Sequence, residues 1–220
     1  MDIDKIECSV HLYSSPCLGM KQIEIPKPKE LKHGQKLLEK LYLNDDELSD
    51  VTIFCEDKIF KCHKLILSGQ SKVFKNMLFN SNMVEATSGD IKIVDTPVNA
   101  MKNLLFFIYH GYLDDAMITH DLLVAADYYD IPDLVNICTN FMKENLNDEN
   151  VVKVMTSAYL TNQKELFRMA CKFVFKRGAD DQIVQIEAWK EFKEKDPVLA
   201  NKMLEEAMFN PKTPGGSNVK

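Results

Sequence analysis

No stretch of this sequence approaches the roughly 20 consecutive apolar residues that a bilayer span requires. The longest candidates are strand-sized, such as Val51-Thr52-Ile53-Phe54-Cys55, so no membrane association is expected. The start, Met1-Asp2-Ile3-Asp4-Lys5, is acidic and lacks the apolar segment of a secretory leader, which suits a soluble intracellular chain. The six cysteines (Cys8, Cys17, Cys55, Cys62, Cys138 and Cys171) include no CxxC pair, and reduced thiols are expected rather than a disulfide framework. Positive charge is not in excess: 27 Lys and Arg face 33 Asp and Glu, for a net charge of −6. Counterion release needs clustered cations, so no direct nucleic-acid partner is expected. Also missing are G-x-G-x-x-G, the P-loop, G-x-S-x-G and H-E-x-x-H, which leaves an enzymatic reading little support.

What is present is globular: 45% of residues are apolar and 27% charged over 220 positions. A chain of this size buries about 70% of its unfolded surface, so neither a disulfide nor a metal is needed to hold it. Residues 1–30 are expected to hold two short strands, Ile6 to Tyr13 and Met20 to Ile25, followed by the linker Pro26-Lys27-Pro28. Leu31 to Leu43 is expected as a helix ended by Asn44-Asp45-Asp46, with Leu37, Leu38 and Leu41 on one face. Val51 to Cys55 and Lys58 to Cys62 form a hairpin across Glu56-Asp57. A helical stretch starts at Lys64, breaks near Gly69 and resumes from Ser71 through Phe79. Asn80 to Asp90 reads as polar loop and Ile91 to Val94 as a strand.

The next helix is the clearest. Thr96 is its expected N-cap and Pro97 its first residue, Met101, Leu104, Leu105 and Ile108 form its stripe, and Gly111 ends it. Thr119 caps a helix from His120 to Tyr129, and beyond Asp130 the pattern is helical throughout. These later helices are expected from Pro132, from Asn147, over Lys164 to Arg177 (stopped by Gly178), around Trp189, and from Asp196-Pro197. Pro211 to Lys220 is a Pro/Gly/Ser tail.

Chemically reactive constellations are sparse. Cys55, Cys62 and His63 give one seven-residue spacing without a second pair, which fits sheet-packed thiols better than a metal site. His63 beside Asp50 could form half of a hydrolase relay, but no serine motif accompanies it. Four features invite a partner. The stripe Leu37, Leu38, Leu41 and Leu43 fits an outward docking face as well as an intramolecular core. Met83, in the polar loop, fits an incidental methionine or an adaptable thioether anchor. Tyr109, Tyr112, Tyr128 and Tyr129 cluster near helix ends, suiting either an interface or a core. Asp114-Asp115 and Asp180-Asp181 read as solvated helix flanks.

The order of elements resembles the BTB/POZ domain from about Leu37 to Asn145. The resemblance rests on Asp50-Val51 opening a hairpin, Phe60-Lys61-Cys62-His63-Lys64-Leu65-Ile66-Leu67, Ser71-x-Val73-Phe74, Phe107-Ile108-Tyr109-x-Gly111 and Leu123-x-Ala125-Ala126-Asp127-x-Tyr129. The following helices, with Trp189-Lys190 and Asp196-Pro197, are similar to the three-box and shortened BACK region of MATH-BTB proteins of the speckle-type POZ kind. The first 25 residues look like the closing strands of a MATH domain, too few for a complete MATH sandwich. The resemblance implies an α+β BTB/POZ fold over 31–146, a small sheet flanked by helices. Around it would lie MATH-type strands with a linker (1–30), all-helical three-box/BACK-like segments (147–210) and a disordered tail (211–220).

The resemblance also implies roles. Leu37, Leu38, Leu41 and Ile66 would form a two-fold dimer face, with Asp50 and Lys64 as the charged positions at its base. His63 would be structural. Met83-Val84-Glu85 fits the apolar-x-Glu motif of cullin-binding relatives, with Met83 entering a groove on cullin-3, Glu85 holding the loop and Tyr129 on the same side. Implied partners are a second BTB chain, identical or related, cullin-3 and a ubiquitination substrate. No cofactor or metal is implied, and the family's basic nuclear-localisation tail is missing, since 211–220 holds only Lys212 and Lys220. Residence in the nucleus, the cytoplasm or both is expected. The implied function is a non-catalytic adaptor of a cullin-3 RING ubiquitin ligase; a BTB oligomerisation scaffold, or a truncated regulatory relative, is the competing expectation.

Overall fold

Alternation builds the sheet. In β1 (Val51–Cys55) Val51, Ile53 and Cys55 point into the core while Thr52 and Phe54 face outward. β2 (Lys58–Cys62) pairs antiparallel with it, placing Ile53 opposite Phe60 and Cys55 opposite Lys58. The two-residue turn between them puts Glu56 in the left-handed region at φ 51°, the twist that a tight hairpin favours. β3 (Asp90–Ile93) pairs parallel with β1, so the strand order is β2-β1-β3. The computed structural model describes residues 32–43, 48–175 and 187–209. The strands expected before residue 30, the stops at Asn44-Asp45-Asp46 and Gly178, the pair Asp180-Asp181 and the tail 211–220 lie outside these.

Acids at the two ends of β1 start two helices. The Lys64 backbone N–H donates to Asp50 Oδ1 at 2.7 Å, supplying α2 (Lys64–Gln70) with an acceptor from outside its own segment. The Val98 N–H donates to Glu56 Oε1 at 3.3 Å, placing a carboxylate at the positive end of α5 (Val98–His110). α5 is the central helix, and α2 and α1 (Lys32–Leu43) both pack on it. Its N-cap is Pro97, one residue later than expected; Gly111, at φ 74°, ends it as expected and returns its N–H to the Phe107 carbonyl at 2.8 Å.

α2 continues through Gly69, whose absent side chain faces open space, and the break expected there falls instead at Ser71. Ser71 is 1% exposed. Its N–H donates to the Leu67 carbonyl at 3.0 Å, and its Oγ accepts from the Phe74 N–H at 3.1 Å to open α3 (Lys72–Phe79). The same hydroxyl donates to the carbonyl of Tyr129, beyond α6 (His120–Tyr128). The expected loop Asn80 to Asp90 is a correction: Val84–Ser88 forms a short helix, α4, closed by Gly89 at φ 74°. A side chain at Gly89 would come within 2.8 Å of the Asp50 carbonyl, and the Gly89 carbonyl accepts from Thr52 at 2.9 Å. Glycine there lets α4 end and β1 pair within a single residue.

Thr119 caps α6 through its hydroxyl as expected. Asp130, at φ 52°, then turns the chain so that the Ile131 N–H reaches back to the Ala126 carbonyl at 2.9 Å. Asp115–Met117 is a 3-10 turn rather than a helix flank, held to α5 by the Asn103 amide donating to the Met117 carbonyl. α7 (Pro132–Glu144), α8 (Val151–Leu160), α9 (Lys164–Phe175), α10 (Glu187–Lys195) and α11 (Pro197–Phe209) follow. α8 packs against α6, and α9 against α7 and α8, extending the core through Leu134, Cys138, Met155 and Leu166. Asp196 Oδ1 accepts from Leu199 at 3.0 Å, the cap expected before Pro197. Asn147 Oδ1 accepts from the Glu149 and Asn150 N–H groups in the turn before α8. Among the described residues no helix is long and apolar enough to cross a membrane.

Replacing Ser71 with Ala leaves the buried Tyr129 carbonyl and Phe74 amide short of a partner, which is expected to cost about 1–3 kcal/mol. Urea unfolding measures it; an unchanged midpoint would show that neither hydrogen bond holds the junction.

Candidate protein-interaction site

α3 has two unlike faces. Phe74 and Leu78 are fully buried, with Val73 and Met77 packed beside them. Lys72, Lys75, Asn76 and Phe79 recur at i, i+3, i+4 and i+7 on the outer face, and all are exposed. Past Phe79, Asn80 Oδ1 accepts from the Asn82 N–H and the Asn80 carbonyl from the Met83 N–H, which folds the chain tightly. Met83 lies just outside α4 in extended conformation, 38% exposed, and Val84 beside it is 77% exposed. Glu85 is half-buried, and its carbonyl accepts from Gly89 at 2.9 Å. The segment thus forms a tongue in which an extended Met83 and the first residue of α4, Val84, leave two apolar side chains uncovered.

The candidate dimer residues are spread over α1, α2 and the residue before β1. Leu37 on α1 is 54% exposed, whereas Leu38 and Leu41 are half-buried and Leu41 packs on the core. Ile66 on α2 is half-buried against the core, while its neighbour Leu65, which sequence reasoning passed over, is 80% exposed. Asp50 is exposed and bonded to the Lys64 amide. The Lys64 ammonium lies 4.6 Å from the centre of the Phe79 ring, which turns it toward α3. The Leu43 side chain lies outside the described residues.

Tyr129 is a correction. It is 1% exposed and stacked on Phe74 at 4.6 Å, so its ring is core and does not reach a partner surface. Tyr128, one residue earlier and at the end of α6, is 58% exposed and takes the outward position. Adjacent tyrosines at a helix end carry no periodicity to separate them. Of the other two, Tyr109 is buried and Tyr112 is exposed.

The reactive groups are occupied or buried. The Tyr109 hydroxyl accepts from the His63 N–H at 2.9 Å and meets His63 Nδ1 at 2.8 Å, while the Asp50 carboxylate serves Lys64, so the two do not form a relay. Cys55 donates its thiol to the Thr96 carbonyl at 3.2 Å, and burial, then Glu56, raises its pKa. Burial pushes the Cys138 thiol up to about 12. Tyr129 is likewise pushed up to about 12, chiefly by burial and against a hydrogen bond with Thr96. Thiols held protonated in apolar surroundings are poor nucleophiles and metal ligands. Among the described residues no three His, Cys, Asp or Glu side chains gather where they could hold a metal ion. What these helices leave uncovered instead is apolar side chain, at Leu37, Leu65, Phe79, Met83 and Val84.

Residues 38–146 match the family model of the BTB/POZ domain. This chain carries a BTB/POZ domain. BTB/POZ and MATH domain-containing protein 6 of Arabidopsis thaliana is 27% identical over 92% of this chain and 52% of that protein. Kelch repeat and BTB domain-containing protein 4 of Homo sapiens is 30% identical over 70% of this chain and 28% of that protein. The chain thus spans about half the length of the plant relative and little more than a quarter of the human one. The BTB domain of zebrafish PATZ1 superposes with a TM-score of 0.47 at 16% identity, over 56% of this chain and 99% of that one. The expected α+β BTB fold, with its small sheet, flanking helices and helical C-terminal region, is the one observed.

Tyr129 and Cys138 make stability fall at high pH. Each keeps its proton more tightly folded than unfolded, so the stabilisation is complete below the unfolded values of 10.0 and 9.0 and fades as pH rises toward about 12. Urea midpoints should drop between pH 7.5 and pH 10.5, and Tyr129→Phe, which keeps the stack on Phe74, should drop less.

Proposed function

We propose that this BTB/POZ chain is a non-catalytic adaptor that pairs with a second BTB chain and binds cullin-3 through the Met83 tongue. The observation that carries the reading is the exposure of Met83 and Val84 on a helical turn whose ends are fixed by Asn80 and Gly89. An unbranched thioether presented from a rigid turn fits an apolar groove at little entropic cost. Glu85 is half-buried and its carbonyl closes the turn on Gly89, and Tyr128, rather than the buried Tyr129, is the exposed aromatic at the end of α6. Leu37, with the exposed Leu65 and the half-buried Ile66 of α2, supports the pairing face, which Leu38 and Leu41 seat on the core and Asp50 and Lys64 border.

Residues 1–30 are read as MATH-type strands and a linker, 31–146 as the BTB unit and 147–210 as three-box/BACK-like helices. The match of 38–146 to the BTB/POZ model and the likeness to a plant BTB and MATH protein over most of the chain support the first two parts of this division. In such a complex the adaptor raises rate by proximity: two cullin arms on one dimer hold ubiquitin-charged enzymes near a substrate's lysines, in the nucleus or the cytoplasm. A second reading, a BTB oligomerisation scaffold without a ligase, is favoured by the exposed leucines, which need only another copy to cover them.

Met83→Asp separates the two. Burying a charge in the groove should cost at least about 2 kcal/mol, roughly 30-fold in affinity for the cullin-3 N-terminal domain. Sedimentation should find the dimer unchanged. Co-elution of this variant with cullin-3 at native levels would overturn the tongue assignment, and no co-elution of the native chain would favour the scaffold.

A further inference from the structure

The tongue is not an isolated protrusion. Phe79, at the end of α3 and 57% exposed, lies four residues before Met83 in a chain folded tight by Asn80. Phe79 is the one apolar member of an outer helical stripe whose others are Lys72, Lys75 and Asn76, and it gains weight from lying close in sequence to the exposed Met83 and Val84. Its ring is met by the Lys64 ammonium from α2 at 4.6 Å, and Lys75 stands one turn behind it on the same stripe. Lys72 is engaged by Asp130 at 3.2 Å, but among the described residues no carboxylate forms an ion pair with Lys64 or Lys75. In a chain of net charge −6, this sets those two lysines beside three exposed apolar residues close in sequence, Phe79, Met83 and Val84, with Asp50 at the Lys64 amide and Glu85 next to Val84 as the nearby acids.

We infer that the partner taking Met83 also covers Phe79, and that it meets Lys64 and Lys75 with carboxylates, as an amphipathic helix edged with Asp or Glu would. The inference rests on the adaptor reading and deepens it: Phe79 is a second apolar anchor, and the lysines are specificity determinants. One occupant follows from the spacing, because Phe79 and Met83 are joined by a three-residue turn too short to divide two partners. Rim charges of this kind speed association and make binding salt-dependent, while a desolvated aromatic sets how long the complex lasts.

The test uses the full chain and the cullin-3 N-terminal domain, with affinity measured at about 50 and about 300 mM salt, where screening differs sharply. Phe79→Ser should weaken binding about tenfold or more at both salts, with an unchanged melting temperature because the site is exposed. Lys64→Gln with Lys75→Gln should weaken it about three- to tenfold at low salt only, flattening the salt dependence, with the dimer unchanged by sedimentation because Lys64 also borders the proposed pairing face. Native-like binding by both, while Met83→Asp fails, overturns the inference and leaves the adaptor reading standing. Native-like binding by all three variants overturns both. A weakened dimer with unchanged cullin affinity in Phe79→Ser would assign the tract to a second copy and likewise overturn the inference.

Discussion

The hydroxyl of Ser71 is the point on which the junction of α2, α3 and α6 turns. One residue ends α2, opens α3 and ties both to the end of α6, and its exclusion from water makes each of those hydrogen bonds costly to lose. Because Ser71 is fixed, the rotation of α3 about its own axis is fixed too. Phe74 then meets Tyr129 face to face, and the opposite side of the helix is committed to solvent or to a partner. The stack and the hydroxyl reinforce each other, since the carbonyl that Ser71 holds belongs to the residue whose ring Phe74 covers.

From that constraint follows a division of labour across the BTB unit. α1 rests on α5 through Tyr42, whose ring meets Phe106 and His110 edge-on at 5.9 and 4.9 Å, while Leu37 is left outward. α3 and α4 present their apolar groups elsewhere, on segments that do not depend on α1 for support. The exposed apolar residues of α1 and of α3–α4 thus lie on different helices seated on one core, with Lys64 of α2 reaching to the Phe79 ring.

Features with a local cause were legible in the residues. Glu56-Asp57 reads as a two-residue turn, Gly111 as a left-handed stop, Thr119 and Asp196 as caps, and each acts within a few positions of itself. Features set by distant partners were not. α4 is made of Val-Glu-Ala-Thr-Ser, a sequence with no strong helical stripe, and its end is dictated by β1 lying against Gly89. Gly69 has the look of a breaker, yet it faces empty space and the helix runs through it. Tyr129 differs from Tyr128 only by a ring 55 positions away in the chain, Phe74, and nothing nearby in the sequence distinguishes them. At the candidate site Met83 and Glu85 take their roles only from the resemblance to the BTB/POZ domain, whereas Phe79, Leu65 and Tyr128 emerge only when the fold shows which sides remain uncovered.

The parallel pairing of β1 with β3 gives the tongue an unusual tether. Both strands are zipped into one sheet, and everything from α2 to α4 is a detour between them. The segment is therefore a closed handle rather than a flap. Lengthening or shortening it near Asn80 changes its reach without unpicking the ladder, because the entropy of closing such a loop varies only slowly with its length. Evolution could retune that handle for a new groove while the fold beneath it stayed the same.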